Sequence, residues 1–185
     1  MPARCAATLS PAGCDSPAVT RTPDPLAVRV VDLLRARGAT VATAESLTGG
    51  LVCAALVAVP GASDVVRGGV VAYAADVKTG ILGVDAALVA SHGTVDARVA
   101  EAMAIRARES CQATYGVSTT GVAGPDSSEG KAAGTVHVAV ASPVGVQSRL
   151  MDLSGDRHDV RHGAVAAVLS LLVDRVGEES TSVER

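Results

Sequence analysis

Short apolar runs alternate with helical patterns along almost the whole chain, and this alternation constrains its fold more than any other feature. "PLAVRVVDLLRARG" places Leu26, Val30, Leu33 and Leu34 on one helical face, with Pro25 suited to the first position and Gly38 to the stop. "ATVATA" then reads as a short buried strand, and "TGGLVCAALVAV" as a nearly all-apolar helix ended by Pro60–Gly61. "RGGVVAY" is a strand running to Tyr73, followed by a short helix through Lys78 and Leu82. "VDARVAEAMAIRARESCQA" has clear helical periodicity with Asp96 near its N-cap. "YGVSTTGVAG" reads as a strand breaking into a Gly/Pro loop. "GTVHVAVASPVGVQSRLMDL" predicts a hairpin turning at Pro143–Gly145, and "DRHDVRHGAVAAVLSLLVDRV" a closing helix. This order predicts a three-layer α/β/α domain with a mixed, mostly parallel sheet. The expected domain spans 25–177, between an N-terminal extension (1–24), read as mobile from its Pro, Ser and Thr content, and a polar tail (178–185).

The chain has 185 residues, enough for one ordinary core, with 48% hydrophobic and 19% charged residues. It lacks Trp and Phe and has two Tyr, so Ala, Val and Leu must fill that core. Aromatic stacking platforms and a basic footprint are both missing, since the net charge is −3, which argues against a nucleic-acid partner. The cysteines Cys5, Cys14, Cys53 and Cys111 show no metal-type pairing. No apolar run reaches the roughly 18 residues needed to span a bilayer, and no secretory signal is evident. A cytoplasmic protein without a membrane partner is therefore expected.

"TAESLTGG" (43–50) puts Ser46 at the carboxyl end of a strand and the mouth of a helix, where open α/β sheets bind ligands. The amides of Thr48, Gly49 and Gly50 are candidates for holding an oxyanion or phosphate, and the glycines allow close approach. Ser46 or Thr48 serves equally well as a helix cap. The hydrolase elbow G-x-S-x-G is not matched, because Ala44 and Thr48 occupy its glycine positions. Lys78 is a candidate base for Ser46, or else a solvated helix lysine.

Two near-misses carry less weight. "GPDSSEGKAAG" departs from a phosphate-binding P-loop, because five residues separate Gly124 from Gly130 and Ala132 replaces the magnesium-binding hydroxyl. "HDVRH" sets His158 and His162 four apart, as in a zinc helix, but Asp159 is a methylene short of the usual Glu and no third ligand is nearby. A zinc-dependent hydrolase using His158 and His162 is therefore the less favoured alternative, and no metal and no cofactor are expected.

Taken together, "ARGATVATAESLTGG", "GGVVAYAADVKTGILGV", "STTGVAGPD", "GTVHVAVA" and "GDRHDVR" resemble, in order and spacing, the C-terminal domain of the CinA (competence/damage-inducible) family, the nicotinamide-nucleotide amidases of the PncC type. The resemblance covers roughly residues 25–176. It implies hydrolysis of nicotinamide mononucleotide to nicotinate mononucleotide and ammonia, without a cofactor, in a homo-oligomer. It makes Ser46 the nucleophile, Lys78 the general base and Tyr73 a supporting polar residue. It makes Thr120, Gly121, Ala123 and Gly124 the substrate loop and places basic residues at Arg157 and Arg161. Charge suggests phosphate contacts for these two arginines, helped by free amides at the start of the last helix. Alternatively, they pair with Asp156 and Asp159 on the surface.

Leu47, Ala74–Ala75 and Ser127–Ser128 depart from the family's usual residues, and the loss at Ala74–Ala75 threatens polar support for Lys78. That loss would suit a non-catalytic binding module. Ordinary lysine, with a pKa near 10.4, is protonated at neutral pH, so Lys78 needs an apolar pocket to act as a base.

Overall fold

The computed structural model describes residues 22–183, with side chains through 179. Most of the expected N-terminal extension, with Cys5 and Cys14, lies outside the described residues. Helix α1 (Pro25–Ala36) starts where Asp24 accepts hydrogen bonds from the amides of Leu26 and Ala27, at 2.7 and 3.3 Å. It buries Ala27, Val30, Val31 and Leu34, while Leu26 and Leu33 pack at the margin.

Strand β1 (Val41–Glu45) is buried along its whole length. Helix α2 (Leu51–Val57) and a 3-10 turn (Ala62–Asp64) lead into β2 (Val66–Val71). Helices α3 (Ala75–Gly80), α4 (Ala86–His92) and α5 (Ala97–Ser110) follow, with Asp96 capping α5 as its sequence suggests. Strand β3 (Tyr115–Gly121) enters the loop that ends at the hairpin β4 (Thr135–Ser142) and β5 (Gly145–Asp152).

Helix α6 (Arg157–Val183) closes the chain. It runs through residues expected to be a polar tail. Helix α4 has no buried residue and lies outside the expected elements, although Asp85 caps it by accepting from the Ala87 amide at 2.8 Å.

The sheet order is β2-β1-β3-β4-β5. β1 pairs in parallel with β2 and β3, whereas β4 is antiparallel to both β3 and β5. Four strands thus share one direction and β4 opposes them, so the sheet is mixed as expected although its pairings divide evenly.

The two faces of the sheet solve the lack of aromatic rings differently. On one, Val41, Val117, Val136, Val138 and Val140 pack against α1, α2 and α6. On the other, Ala42, Ala44, Ala139 and Ala141 meet α5, with α3 and α4 extending that layer. Small residues let α5 approach closely: a side chain at Gly116 would collide with the Ala104 carbonyl and Arg108.

β1 lies between β2 and β3, with α2 on one face and α5 on the other. The carboxyl end of β1 is therefore a topological switch point, the usual place for a ligand in an open α/β sheet.

Candidate active site

Ser46 follows the last residue of β1, and its amide donates to the Thr119 carbonyl at 2.9 Å. Its turn is built around Glu45. That side chain is buried, and its carboxyl oxygens accept from Thr48 Oγ1 at 2.7 Å and from the amides of Gly50, Val52 and Cys53 at 2.8–3.0 Å. Glu45 thereby satisfies the otherwise orphaned amides that open α2. Gly49 and Gly50 bend the chain at φ +59 and +97, values that favour glycine.

The expectation that amides of Thr48–Gly50 form an oxyanion site is therefore corrected for Gly49 and Gly50. The Gly49 amide donates to the Ser46 carbonyl and the Gly50 amide to Glu45. Thr48 is fully buried, its hydroxyl shared between Glu45 and Thr119. The amides of Leu47 and Thr48 have no acceptor among the described residues.

Lys78 comes from α3, on the neighbouring parallel strand's connection, and is 1% exposed. Its Nζ lies 3.0 Å from Ser46 Oγ, 2.7 Å from the Ala72 carbonyl and 3.2 Å from the Tyr73 carbonyl. Burial pushes its pKa down to about 8, against a smaller opposing pull from Glu129. Two carbonyls can take the two hydrogens of a neutral amine, leaving the nitrogen lone pair for the serine proton. After proton transfer, three N–H donors meet the same three oxygens. Polar support for Lys78 thus comes from the backbone, and Ala74–Ala75 do not remove it.

A cleft of about 260 Å³ opens onto Ser46, lined also by Leu47, Tyr73, Thr94, Val95, Gly121, Val122, Ala123, Gly124, Asp126, Ser128 and Arg157. Tyr73 is exposed, and its phenol oxygen accepts from Arg157 Nη2 at 2.8 Å, while Arg157 Nη1 donates to the Gly124 carbonyl at 3.0 Å. Gly121, Ala123, Gly124, Tyr73 and Arg157 therefore meet at the cleft.

Thr120 does not line the cleft. It is buried and its hydroxyl donates to the Thr94 carbonyl at 2.7 Å, fixing one wall. Arg161 is also reassigned. Nε and Nη2 donate to the carbonyls of Leu47 and Thr48, at 2.9 and 2.8 Å, so it braces the turn that carries Ser46.

The start of α6 is not an open anion site. Asp156 accepts from the amides of His158 and Asp159 at 2.7 and 3.0 Å, and Asp159 accepts from the Asp156 amide in return. His158 and His162 stack with ring centroids 3.9 Å apart, and His162 Nδ1 lies 2.8 Å from the His158 carbonyl. Among the described residues, no group of three or more His, Cys, Asp or Glu is placed to hold a metal ion. A wider groove of about 590 Å³ lies elsewhere, along Val57–Ser63 and β2, and touches none of the expected site residues.

Fold and site together define a mixed α/β domain with a buried serine–lysine pair at the carboxyl edge of its sheet. The chain belongs to the CinA C-terminal domain family, whose model matches residues 23–176. A CinA-like protein of Frankia casuarinae is 50% identical over 143 residues, which are 77% of this chain and 33% of that protein. A putative competence-damage inducible protein of Geobacillus is 45% identical over 134 residues, 72% of this chain and 32% of its own length. The chain thus spans about a third of these curated relatives.

Solved structures agree. A CinA superfamily protein of Klebsiella pneumoniae superimposes with a TM-score of 0.82 at 30% identity, covering 85% of this chain and 99% of that one. A competence/damage-inducible protein of Agrobacterium tumefaciens gives 0.78 at 36%, covering 80% and 92%.

Glu45, Thr94, Val95, Asp126 and Glu129 were not identified from sequence. The signal for Glu45 was present: an acidic residue ending an apolar strand, just before a Gly-Gly helix entry.

Proposed function

We propose that this domain hydrolyses the carboxamide of nicotinamide mononucleotide, giving nicotinate mononucleotide and ammonia. The observation that carries the reading is the 3.0 Å contact between a buried Lys78 Nζ and the Oγ of Ser46, which lines the cleft. Lys78, neutral in a fraction of molecules at pH 7, accepts the Ser46 proton as Oγ attacks the amide carbon. The Leu47 amide, next to the nucleophile and without an acceptor of its own among the described residues, is the candidate donor to the tetrahedral oxyanion. Collapse breaks the C–N bond, and the proton on Lys78 leaves with ammonia. Water then attacks the acyl-serine, giving its proton to Lys78 and restoring Ser46 as the acid departs.

The cleft's charges suit a mononucleotide with a cationic ring. Arg157 offers a guanidinium to the phosphate. Asp126 lines the same cleft, without a hydrogen bond or ion pair to any described residue, and its carboxylate complements a pyridinium. The deciding measurement is ammonia release from nicotinamide mononucleotide by the purified chain. No release at any pH from 7 to 9, by a folded protein, overturns the reading.

A further inference from the structure

Glu129 carries hydrogen bonds that no step of this reaction uses. Its carboxylate accepts from the Thr94 amide at 2.7 Å, the Thr94 hydroxyl at 2.7 Å and the Val95 amide at 3.3 Å. Thr94 and Val95 form one wall of the cleft. Glu129 belongs to the facing loop between β3 and β4, which supplies Gly124, Asp126 and Ser128 to the cleft. Burial alone would raise the Glu129 pKa, but the Thr94 and Val95 donors hold it below the usual carboxylate range, so it is ionised at neutral pH.

The local backbone makes this residue choice informative. Ser128 and Lys131 exchange both backbone hydrogen bonds, and between them Glu129 and Gly130 have φ +53 and +72. Two-residue hairpin turns with both central residues at positive φ favour Asn, Asp or Gly at the first of them. Glutamate is strained there, yet its longer side chain reaches Thr94. The receiving side is shaped to match: Gly93, at φ +76, leaves space that any side chain would fill by colliding with the Glu129 carboxylate. Thr120 holds the Thr94 carbonyl from the opposite side. At its other end the loop is tied to α6 by the bond from Arg157 to the Gly124 carbonyl.

We infer that Glu129 is a positioning residue whose carboxylate clamps the β3–β4 loop to the Gly93–Val95 turn, holding Gly124, Asp126 and Ser128 as the substrate-facing wall. Its kinetic consequence rests on the amidase reading; its structural consequence does not.

The test compares Glu129→Ala, which removes the clamp, with Glu129→Gln, which keeps an acceptor at the same reach. Amide hydrogen exchange on the full chain should quicken about tenfold or more at residues 124–134 in Glu129→Ala, with α1 and α5 unchanged. KM for nicotinamide mononucleotide should rise about tenfold while kcat stays within about threefold, and Glu129→Gln should recover most of both effects. Unchanged loop exchange in Glu129→Ala overturns the clamp. So does faster exchange spread evenly over the whole domain, which would make Glu129 a general stabiliser. If the wild-type chain releases no ammonia, the amidase reading fails and the exchange result alone decides the clamp.

Discussion

Lys78 Nζ stands 3.0 Å from Ser46 Oγ although 32 residues separate them in the chain. Parallel pairing of β1 with β2 brings the ends of both strands to one edge, and α3 returns the lysine over that edge. Removing either partner should abolish amidase activity. Lys78→Met is the better lysine variant, because Lys78→Ala would also leave a cavity costing about 2–5 kcal/mol. The double variant Ser46→Ala/Lys78→Met should be no worse than either single, since the two act as one unit. Ammonia release, with melting curves to confirm folding, checks this; substantial turnover by Ser46→Ala would end the covalent mechanism.

Burial of Lys78 also sets the pH response. In the proposed mechanism the neutral amine is the base, so log kcat/KM should climb with unit slope and level off near pH 8. Stability responds in the same direction. With a pKa near 10.5 unfolded and about 8 folded, the unfolded chain binds more protons between those values, so stability rises with pH across that window. The full effect is on the order of 3 kcal/mol, present above pH 10.5 and lost below pH 8. Tyr115 acts oppositely at higher pH: burial, then its bond to Glu179, pushes its pKa up to about 12, so stability falls as pH rises from 10 to 12. Denaturant unfolding of wild type and Lys78→Met across pH 7–10 isolates the lysine, because the variant should lack the rise.

The helix and strand pattern was legible because apolar periodicity reports burial directly. Asp96 and Pro25 marked helix starts for the same local reasons that the structure shows. Ser46 was legible as a residue at a strand–helix turn and Lys78 as a candidate base, but nothing local distinguishes Lys78 from a solvated lysine, and only the resemblance favours the base. Glu45 was missed because its donors lie three to eight residues ahead and converge only after Gly49 and Gly50 reverse the chain. Arg157 and Arg161 were assigned one task because they share a helix face. Four residues along a helix is about 6 Å, which moves Arg161 from the cleft rim to the carbonyls beneath the serine turn.

That displacement separates their kinetic signatures. Arg161→Ala should lower kcat about tenfold or more with KM little changed, because it loosens the carbonyls of Leu47 and Thr48 and with them the nucleophile's turn. Arg157→Ala should instead raise KM for the mononucleotide about tenfold, the loss of one charge-assisted contact. Steady-state kinetics of both variants checks the division. A raised KM with unchanged kcat in Arg161→Ala would return that residue to the phosphate.

Glu45 should be the most sensitive position for folding. Glu45→Ala would leave the buried Val52 amide, the buried Thr48 hydroxyl and the partly buried amides of Gly50 and Cys53 without their acceptor, at about 1–3 kcal/mol for each buried group and less for the others. Glu45→Gln presents an amide hydrogen where an acceptor is needed and should fall between wild type and Glu45→Ala. Thermal melting of the three proteins orders them; equal midpoints would show that Glu45 does not hold the turn.

Asp126 separates ring recognition from phosphate recognition. Its carboxylate is exposed at the cleft, so solvent weakens its field, and an attraction of about 1 kcal/mol, or fivefold in affinity, is the scale expected at 4 Å in water. The oxidised nicotinamide ring is cationic, whereas its dihydropyridine form is neutral and keeps the same ribose phosphate. Asp126→Asn should therefore raise KM about fivefold for the oxidised mononucleotide and leave binding of the reduced one nearly unchanged. Salt near 1 M, where the screening length is about 3 Å, should shrink the wild-type preference toward that of the variant. Titration of both ligands into Ser46→Ala, which cannot turn them over, measures the preference as binding alone. If the two ligands bind wild type equally well, Asp126 does not read the ring, and selectivity must come from the cleft's shape between Tyr73 and Gly121–Gly124.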